Sequence, residues 1–246
     1  MQDAISMDIQ SLRHAWTWQP QMQQHLRFPF AGAGTLNRNA SQAWQDIFVL
    51  SMLDGRTNGR YLEVGANYPL SNNNTALLAL LYSWQGVSIE FDPAFFGSWL
   101  KDRPDHTLVL ADALALDYAK ALPAWFGKDT QRIDYLQLDI DPSYNTLQVL
   151  KKLPLDRYRF SVITFETDAY SGDFRARSES RDILLRHGYE LVARDVSVLF
   201  PPVSPNPIPF EDWWVDPQVV SREKIRALQA IDKSPLLPQD VLFAVT

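Results

Sequence analysis

The sequence predicts an α/β domain on a doubly wound, mostly parallel sheet. Three observations carry that reading. From residue 60 onward, short apolar runs alternate with helix-like stretches. The first run ends in an acid, a glycine and a polar turn, Arg60-Tyr61-Leu62-Glu63-Val64-Gly65-Ala66-Asn67. The second, Gly86-Val87-Ser88-Ile89-Glu90, closes on a carboxylate 25 positions after Gly65. Strand, glycine turn, helix, strand and terminal acid form the layout of a nucleotide-type cofactor site. There the glycine admits backbone to the ligand, and the second acid accepts hydrogen bonds from ribose hydroxyls. Any βαβ unit needs a turn, so the rest of the chain has to decide.

Residues 1–40 are polar, with interspersed Trp16, Trp18, Phe28 and Phe30 and an Ala31-Gly32-Ala33-Gly34 break, and they lack clean periodicity. They read as an N-terminal extension lying on a domain that spans 41–246. Ser41 is the expected N-cap of a helix carrying Trp44, Ile47, Phe48, Leu50 and Leu53 and ending near Gly55. Parallel strands are expected at 60–65, 86–91, 107–111, 133–139 and 159–166, separated by helices at 72–84, 94–101, 115–124, 143–152 and 174–187. A further strand restarts at Gly188. The proline-rich stretch 201–209 reads as a loop, and 210–215 as a last strand. Beyond it, 219–231 has helical spacing, and a short apolar end follows.

Bulk properties narrow the function. A chain of 246 residues buries a full core in one domain. The net charge of −6 argues against affinity built on phosphate neutralisation, so no nucleic-acid partner is expected. There is no cysteine, which excludes disulfides, thiolate chemistry and cysteine-held metal. No apolar run approaches the ~20 residues of a membrane span, and the first twenty residues lack a signal-peptide layout. No membrane partner is expected, and the cytoplasm is the expected location.

In open α/β sheets, ligands sit outside the carboxyl ends of the strands. Those ends carry Gly65-Ala66-Asn67, then Glu90 and Asp92, Asp112 with Ala113, Asp139 and Asp141, and Glu166 and Asp168. Glu90 suits a ribose and Asp112 an adenine amino group. There is no phosphate loop of the Gly-Lys-Ser/Thr type and no G-x-G-x-x-G spacing. An acidic rim without a phosphate cradle suits an adenosine cofactor that carries no phosphate, S-adenosylmethionine.

The combined motifs resemble FkbM-type methyltransferases over about residues 41–217. They are Ser41-Gln42-Ala43-Trp44-Gln45-Asp46, Tyr61 to Asn67, Ser71-Asn72 with Thr75, Val87-Ser88-Ile89-Glu90, Asp134 to Asp141, and Phe160 to Glu166. The resemblance implies a class I methyltransferase (Rossmann-like) fold, a seven-stranded sheet with a final antiparallel strand. It also implies S-adenosylmethionine-dependent O-methylation of a hydroxyl on a sugar or other small metabolite. Cofactor contacts are expected from Glu63, Gly65, Ala66, Asn67, Glu90, Asp112, Ala113 and Asp139. The chain departs from the family pattern twice. Tyr68-Pro69 follow Asn67 where the family has a second glycine, and Asp139-Ile140-Asp141-Pro142 stands where it has Asp-Val-Glu-Gly.

The acids after the fourth and fifth strands are the candidate catalytic groups, Asp141 and Asp168 foremost. Asp139 and Asp141 share one face of an extended segment, as do Glu166 and Asp168. Neighbouring strands lie about 4.8 Å apart, so all four are candidate ligands of Mg2+ or another divalent cation. The plainer reading makes Asp141 a helix N-cap with Pro142 at the first helical position. Asp141-Pro142-Ser143-Tyr144 also matches three of four letters of an Asp-Pro-Pro-Tyr element that grips an exocyclic amine, so N-methylation is an alternative. A non-catalytic interaction module on the same fold is another. His187 fits a helix C-terminus; His25 is a candidate base from the extension; His14 and His106 follow no strand. Trp213-Trp214 suit either the core or stacking on a sugar.

Overall fold

The computed structural model describes residues 17–244, so His14 and Trp16 lie outside the described residues. Seven strands form one sheet: β1 (Arg60–Val64), β2 (Gln85–Glu90), β3 (Thr107–Leu110), β4 (Arg132–Leu138), β5 (Arg159–Glu166), β6 (Glu190–Phe200) and β7 (Ser204–Val215). Their order is β3-β2-β1-β4-β5-β7-β6. β1 to β5 are mutually parallel, and β7 runs antiparallel to both β5 and β6. This is the expected class I, Rossmann-like architecture. The antiparallel strand is inserted between β5 and β6. The strand order reverses beside β1, between β2 and β4, where a crevice opens at the carboxyl edge.

Two apolar layers cover the sheet because its strands carry apolar side chains on both faces. On β1, Tyr61 enters one layer, and Leu62 and Val64 the other; on β7, Trp213 and Val215 oppose Trp214 in the same way. The first layer takes in helix Gln45–Met52, whose Phe48 stacks on Trp213 at 4.4 Å. Trp18, Met22, Leu26, Phe30 and Leu36 of the N-terminal segment join that layer. Arg27 binds this segment to the chain's end through the carbonyls of Asp240, Val241 and Phe243. The second layer is closed by helices Tyr118–Phe126, Ser143–Lys152 and Arg175–Arg186. Among the described residues, no helix is long and apolar enough to cross a membrane.

Several boundaries differ from the sequence expectation. Ser41 does not cap a helix. Its hydroxyl donates to Asp46, whose carboxylate also accepts from the main chain of Ala40, Ser41 and Ile47. The helix itself begins at Gln45, after Trp44 at φ 65°. The helix after β1 shrinks to Ala76–Leu81, because 66–75 forms a folded loop instead. Nor is 201–209 a loop. The turn is confined to 201–203, and the prolines at 205, 207 and 209 lie within β7. β5 ends at Glu166, opposite Glu211, so above that pair β7 has a strand partner on one side only. Its register with β6 is also interrupted there. Proline therefore removes less of the ladder than it would in a fully paired strand. The result is a two-stranded arm rising past the carboxyl edge.

The arm is fixed at its base by charge. Asp212, fully buried, receives two guanidinium bonds from Arg181, at 2.7 and 2.8 Å, and the Asp195 main-chain N–H at 2.9 Å. Asp195 sits at φ 53° within the irregular register, and Arg177 and Arg181 both reach its carboxylate. Replacing Asp212 by Ala leaves Arg181 with Asp195 alone and the Asp195 N–H without its acceptor, and should cost about 3 kcal/mol in denaturant unfolding. A loss below about 1 kcal/mol would mean that solvent takes over the role of this pair.

Candidate active site

The crevice beside β1 holds a cavity of about 680 Å3, a volume within the ordinary range for small-molecule sites. Gly65, at φ 85°, turns the chain out of β1. Its N–H and that of Ala66 bind the Ile89 carbonyl, and the Asp139 N–H binds the Val64 carbonyl. A Cβ on Gly65 would lie 1.7 Å from the Asp139 carbonyl oxygen. Main chain packing on main chain therefore requires a glycine here, whatever ligand lies beside the turn. Gly65→Ala should therefore destabilise the fold by about 3 kcal/mol, combining overpacking with left-handed backbone strain. A thermal transition unshifted from wild type would contradict this.

On the β2 side, Glu90 lines the cavity with both oxygens engaged. Oε2 accepts from the Asn67 N–H at 2.7 Å, and Oε1 from the N–H groups of Phe91 and Asp92 at 2.8 Å. It joins the two turns that form the cavity wall. Glu63 is buried at the end of β1, and its Oε2 accepts from Ser88, Thr75 and Asn73 at 2.6, 2.9 and 3.3 Å. Burial raises its pKa. Glu63 borders the cavity, but its hydrogen bonds run to Ser88 on β2 and to the 66–75 loop. Arg103 completes that network. Fully buried, it bonds Tyr61 at 2.6 Å, Asn73 at 3.1 Å and Thr75 at 3.2 Å, with its guanidinium 4.5 Å above Trp99. Trp99 in turn donates to the Asn67 carbonyl. These bonds hold the loop that has Tyr68-Pro69 where a second glycine was expected. Asp112 and Ala113 line the far end, and Asp112 also caps its own turn through the Leu114 N–H. Ala66 is buried behind the wall.

Beyond β4 and β5 the acids converge. Asp141, Glu166 and Asp168 each offer an oxygen within 4.8 Å of the others. Asp139 is not in that group; it shares a hydrogen bond with Glu166. Burial pushes both groups of this pair up, Glu166 strongly, with the Asp139 charge adding to it. Asp168 is buried at φ 45°, and burial raises its pKa too. Its Oδ1 and the Glu166 Oε2 are buried atoms with no hydrogen-bond partner among the described residues. The capping reading of Asp141 fails. Helix Ser143–Lys152 has Pro142 at the N-cap and no side-chain cap bond.

The sequence reading missed much of the lining. Gln42 and Gln45 come from the loop and start of the first helix, Asn72 and Asn74 from the 66–75 loop, and Gln137 from β4. Tyr170 and Phe200 line the cavity too. Gln42, Gln45, Asn72 and Gln137 fall inside the motifs that carry the family resemblance, which was the usable signal; Asn74, Tyr170 and Phe200 fall outside them. Trp213 and Trp214 are fully buried, so neither stacks on a ligand. The Tyr144 ring carries the Arg175 guanidinium at 4.6 Å, and Asn145 lines the cavity in its place. His25, His106 and His187 are not on the cavity wall.

Behind Glu166 lies Glu211, its partner across β5 and β7. It is buried, accepts from Trp213 Nε1 at 2.5 Å, and burial raises its pKa to about 8. A carboxyl raised in the folded state stabilises fully below its unfolded value near 4.5 and loses that contribution as pH climbs to about 8. The slope is about 1.4 kcal/mol per pH unit within that window. Glu211→Gln should therefore match wild type in melting temperature near pH 4.5 and exceed it increasingly towards pH 8. A pH-independent difference would show that Glu211 does not titrate there.

The chain matches no protein-family model and no curated protein. Among solved structures it is similar to the O-methyltransferase TomG from Streptomyces achromogenes in complex with SAM. The identity is 14%, covering 72% of this chain and 81% of that one, with a TM-score of 0.48. It is also similar to a putative rRNA-methylase from Clostridium thermocellum, at 14% identity over 73% and 99% of the two chains and a TM-score of 0.45. A third is the precorrin-6y C5,15-methyltransferase from Geobacter metallireducens GS-15, at 17% identity over 70% and 87% and a TM-score of 0.43.

Proposed function

We propose that this protein is an S-adenosylmethionine-dependent methyltransferase of the FkbM type, acting on a hydroxyl of a small molecule. One observation carries the reading. A single cavity runs from the Gly65 turn and Glu90 to the carboxyl group of Asp139, Asp141 and Glu166. It therefore offers an adenosine site at one end and proton-accepting groups at the other.

The main chain of 65–67 and the Glu90 carboxylate bind the nucleoside, with Glu90 accepting from the ribose hydroxyls on lone pairs left free by its turn contacts. Asp112 faces the adenine. Gln42, Gln45, Asn72 and Asn74 supply neutral donors and acceptors for the amino-acid end of the cofactor. The sulfonium supplies an electrophilic methyl group. Transfer is an in-line displacement in which the acceptor oxygen gains the methyl, the sulfur keeps the electron pair, and the hydroxyl proton passes to Asp141 or Asp168. Orientation and a deprotonated oxygen are what such a step needs.

Asp141, Glu166 and Asp168 also fit a divalent cation, because two of their oxygens are buried without partners. When bound, such an ion supplies Lewis-acid lowering of the acceptor's pKa. Asp139, tied to Glu166, stands outside that ligand set and orients Glu166.

Separating binding from turnover tests these roles. Charged hydrogen bonds are worth roughly 1.5–3 kcal/mol each, so Glu90→Ala should weaken cofactor binding by about ten-fold or more. Asp141→Asn and Asp168→Asn should keep cofactor affinity and lose turnover. Asn is chosen because it tolerates the left-handed backbone at 168. Added EDTA should stop the reaction, and magnesium or manganese should restore it. Unchanged affinity in Glu90→Ala sinks the ribose assignment; full turnover in both Asn variants removes these acids from the mechanism; full activity in EDTA removes the cation.

A further inference from the structure

The lining at the acid end specifies the acceptor's chemistry. Asp139, Asp141 and Glu166 face that part of the cavity, and among the described residues no Lys, Arg or His lines any of it. Arg175, stacked on Tyr144, is already held by both oxygens of Asp173. An acceptor bearing phosphate or carboxylate would meet uncompensated like charge here. A single bound divalent cation would offset only part of it.

Two aromatic rings line the same cavity, and they come from separate elements. Tyr170 stands on the turn Ala169–Ser171, one residue beyond Ala169 and two beyond Asp168. Phe200 ends β6 at the tip of the arm, paired with Ser204. Both line the cavity while remaining 41% and 42% exposed. The turn and the arm are joined, because the main-chain N–H groups of Thr167 and Asp168 both bind the Phe210 carbonyl. Half-exposed rings on a cavity wall, held by fixed backbone, provide flat apolar faces for a ligand ring. The arm's prolines restrict its backbone, so Phe200 is presented with little conformational freedom to lose.

We infer that the acceptor is a ring compound free of phosphate and carboxylate groups, seated between Tyr170 and Phe200 with its hydroxyl towards Asp141 and Glu166. This rests on the methyltransferase reading, from which it draws the cofactor's place in the same cavity. It gives the arm a function, as the element that selects the acceptor.

The test uses protein saturated with S-adenosylhomocysteine and saturation-transfer NMR on two probes at equal concentration, p-nitrophenyl β-D-glucopyranoside and glucose 6-phosphate. The glycoside should give a signal and the phosphate none. Phe200→Ala and Tyr170→Ala should lose the glycoside signal while binding S-adenosylhomocysteine within about two-fold of wild type. Tyr170→Phe, which keeps the ring, should retain it. Absence of glycoside binding, equal binding of the phosphate, or an undiminished signal in both alanine variants would overturn the inference. Failure of wild-type protein to bind S-adenosylhomocysteine would instead overturn the methyltransferase reading itself.

Discussion

The carboxyl edge of this sheet depends on one contact, the Gly65 turn lying against the main chain of Asp139. β1 and β4 are neighbours at the point where strand order reverses, and their exits meet with no room for a side chain between them. Because the two exits are in register, Glu63 and the 66–75 loop fall on one side of the crevice and Asp139 to Asp141 on the other. A side chain inserted at 65 would part the strands and separate the two halves of the site together.

The second constraint is electrostatic. The protein buries or half-buries Glu63, Glu90, Asp139, Glu166, Asp168 and Glu211 around one crevice. Desolvation of a carboxylate without a paired cation is expensive, and the molecule limits that cost in three ways. Glu90 is wrapped by main-chain N–H groups. Glu63 is hydrogen-bonded within a network that contains Arg103. Asp139, Glu166 and Glu211 are shifted towards their protonated forms. What remains is a pocket of negative potential at the acid end, suited to a ligand that brings positive charge. The sulfonium of the proposed cofactor is such a ligand, and a divalent cation is another. Arrangements that place strained backbone and unpartnered carboxylate oxygens together, as at Asp168, are characteristic of functional sites.

Much of this was legible in the sequence wherever local pattern and global fold agree. The five parallel strands announced themselves as apolar runs, and the acids at their ends could be read off by counting. Gly65 was legible as a turn, but its reason was not, since the Asp139 carbonyl that crowds it lies more than seventy residues away. The β6–β7 arm was illegible because alternating prolines ordinarily mark a loop. They are tolerated here because β5 stops at Glu166, a fact of sheet assembly. The Ser41 cap failed for a similar reason. Asp46 takes the hydroxyl and three backbone N–H groups, and the helix starts later, at Gln45, after a left-handed tryptophan. Tyr170 and Phe200 carried no motif at all. Each is one aromatic among many until the turn and the arm bring them to a common cavity.

The most direct measurement is a crystal structure of the protein grown with S-adenosylhomocysteine. The account predicts the ribose hydroxyls within hydrogen-bonding distance of Glu90, the adenine beside Asp112, and the sulfur directed at Asp141 and Glu166 between Tyr170 and Phe200. A nucleoside bound elsewhere on the molecule, or lying in the crevice with its sulfur turned away from the acids, would contradict it.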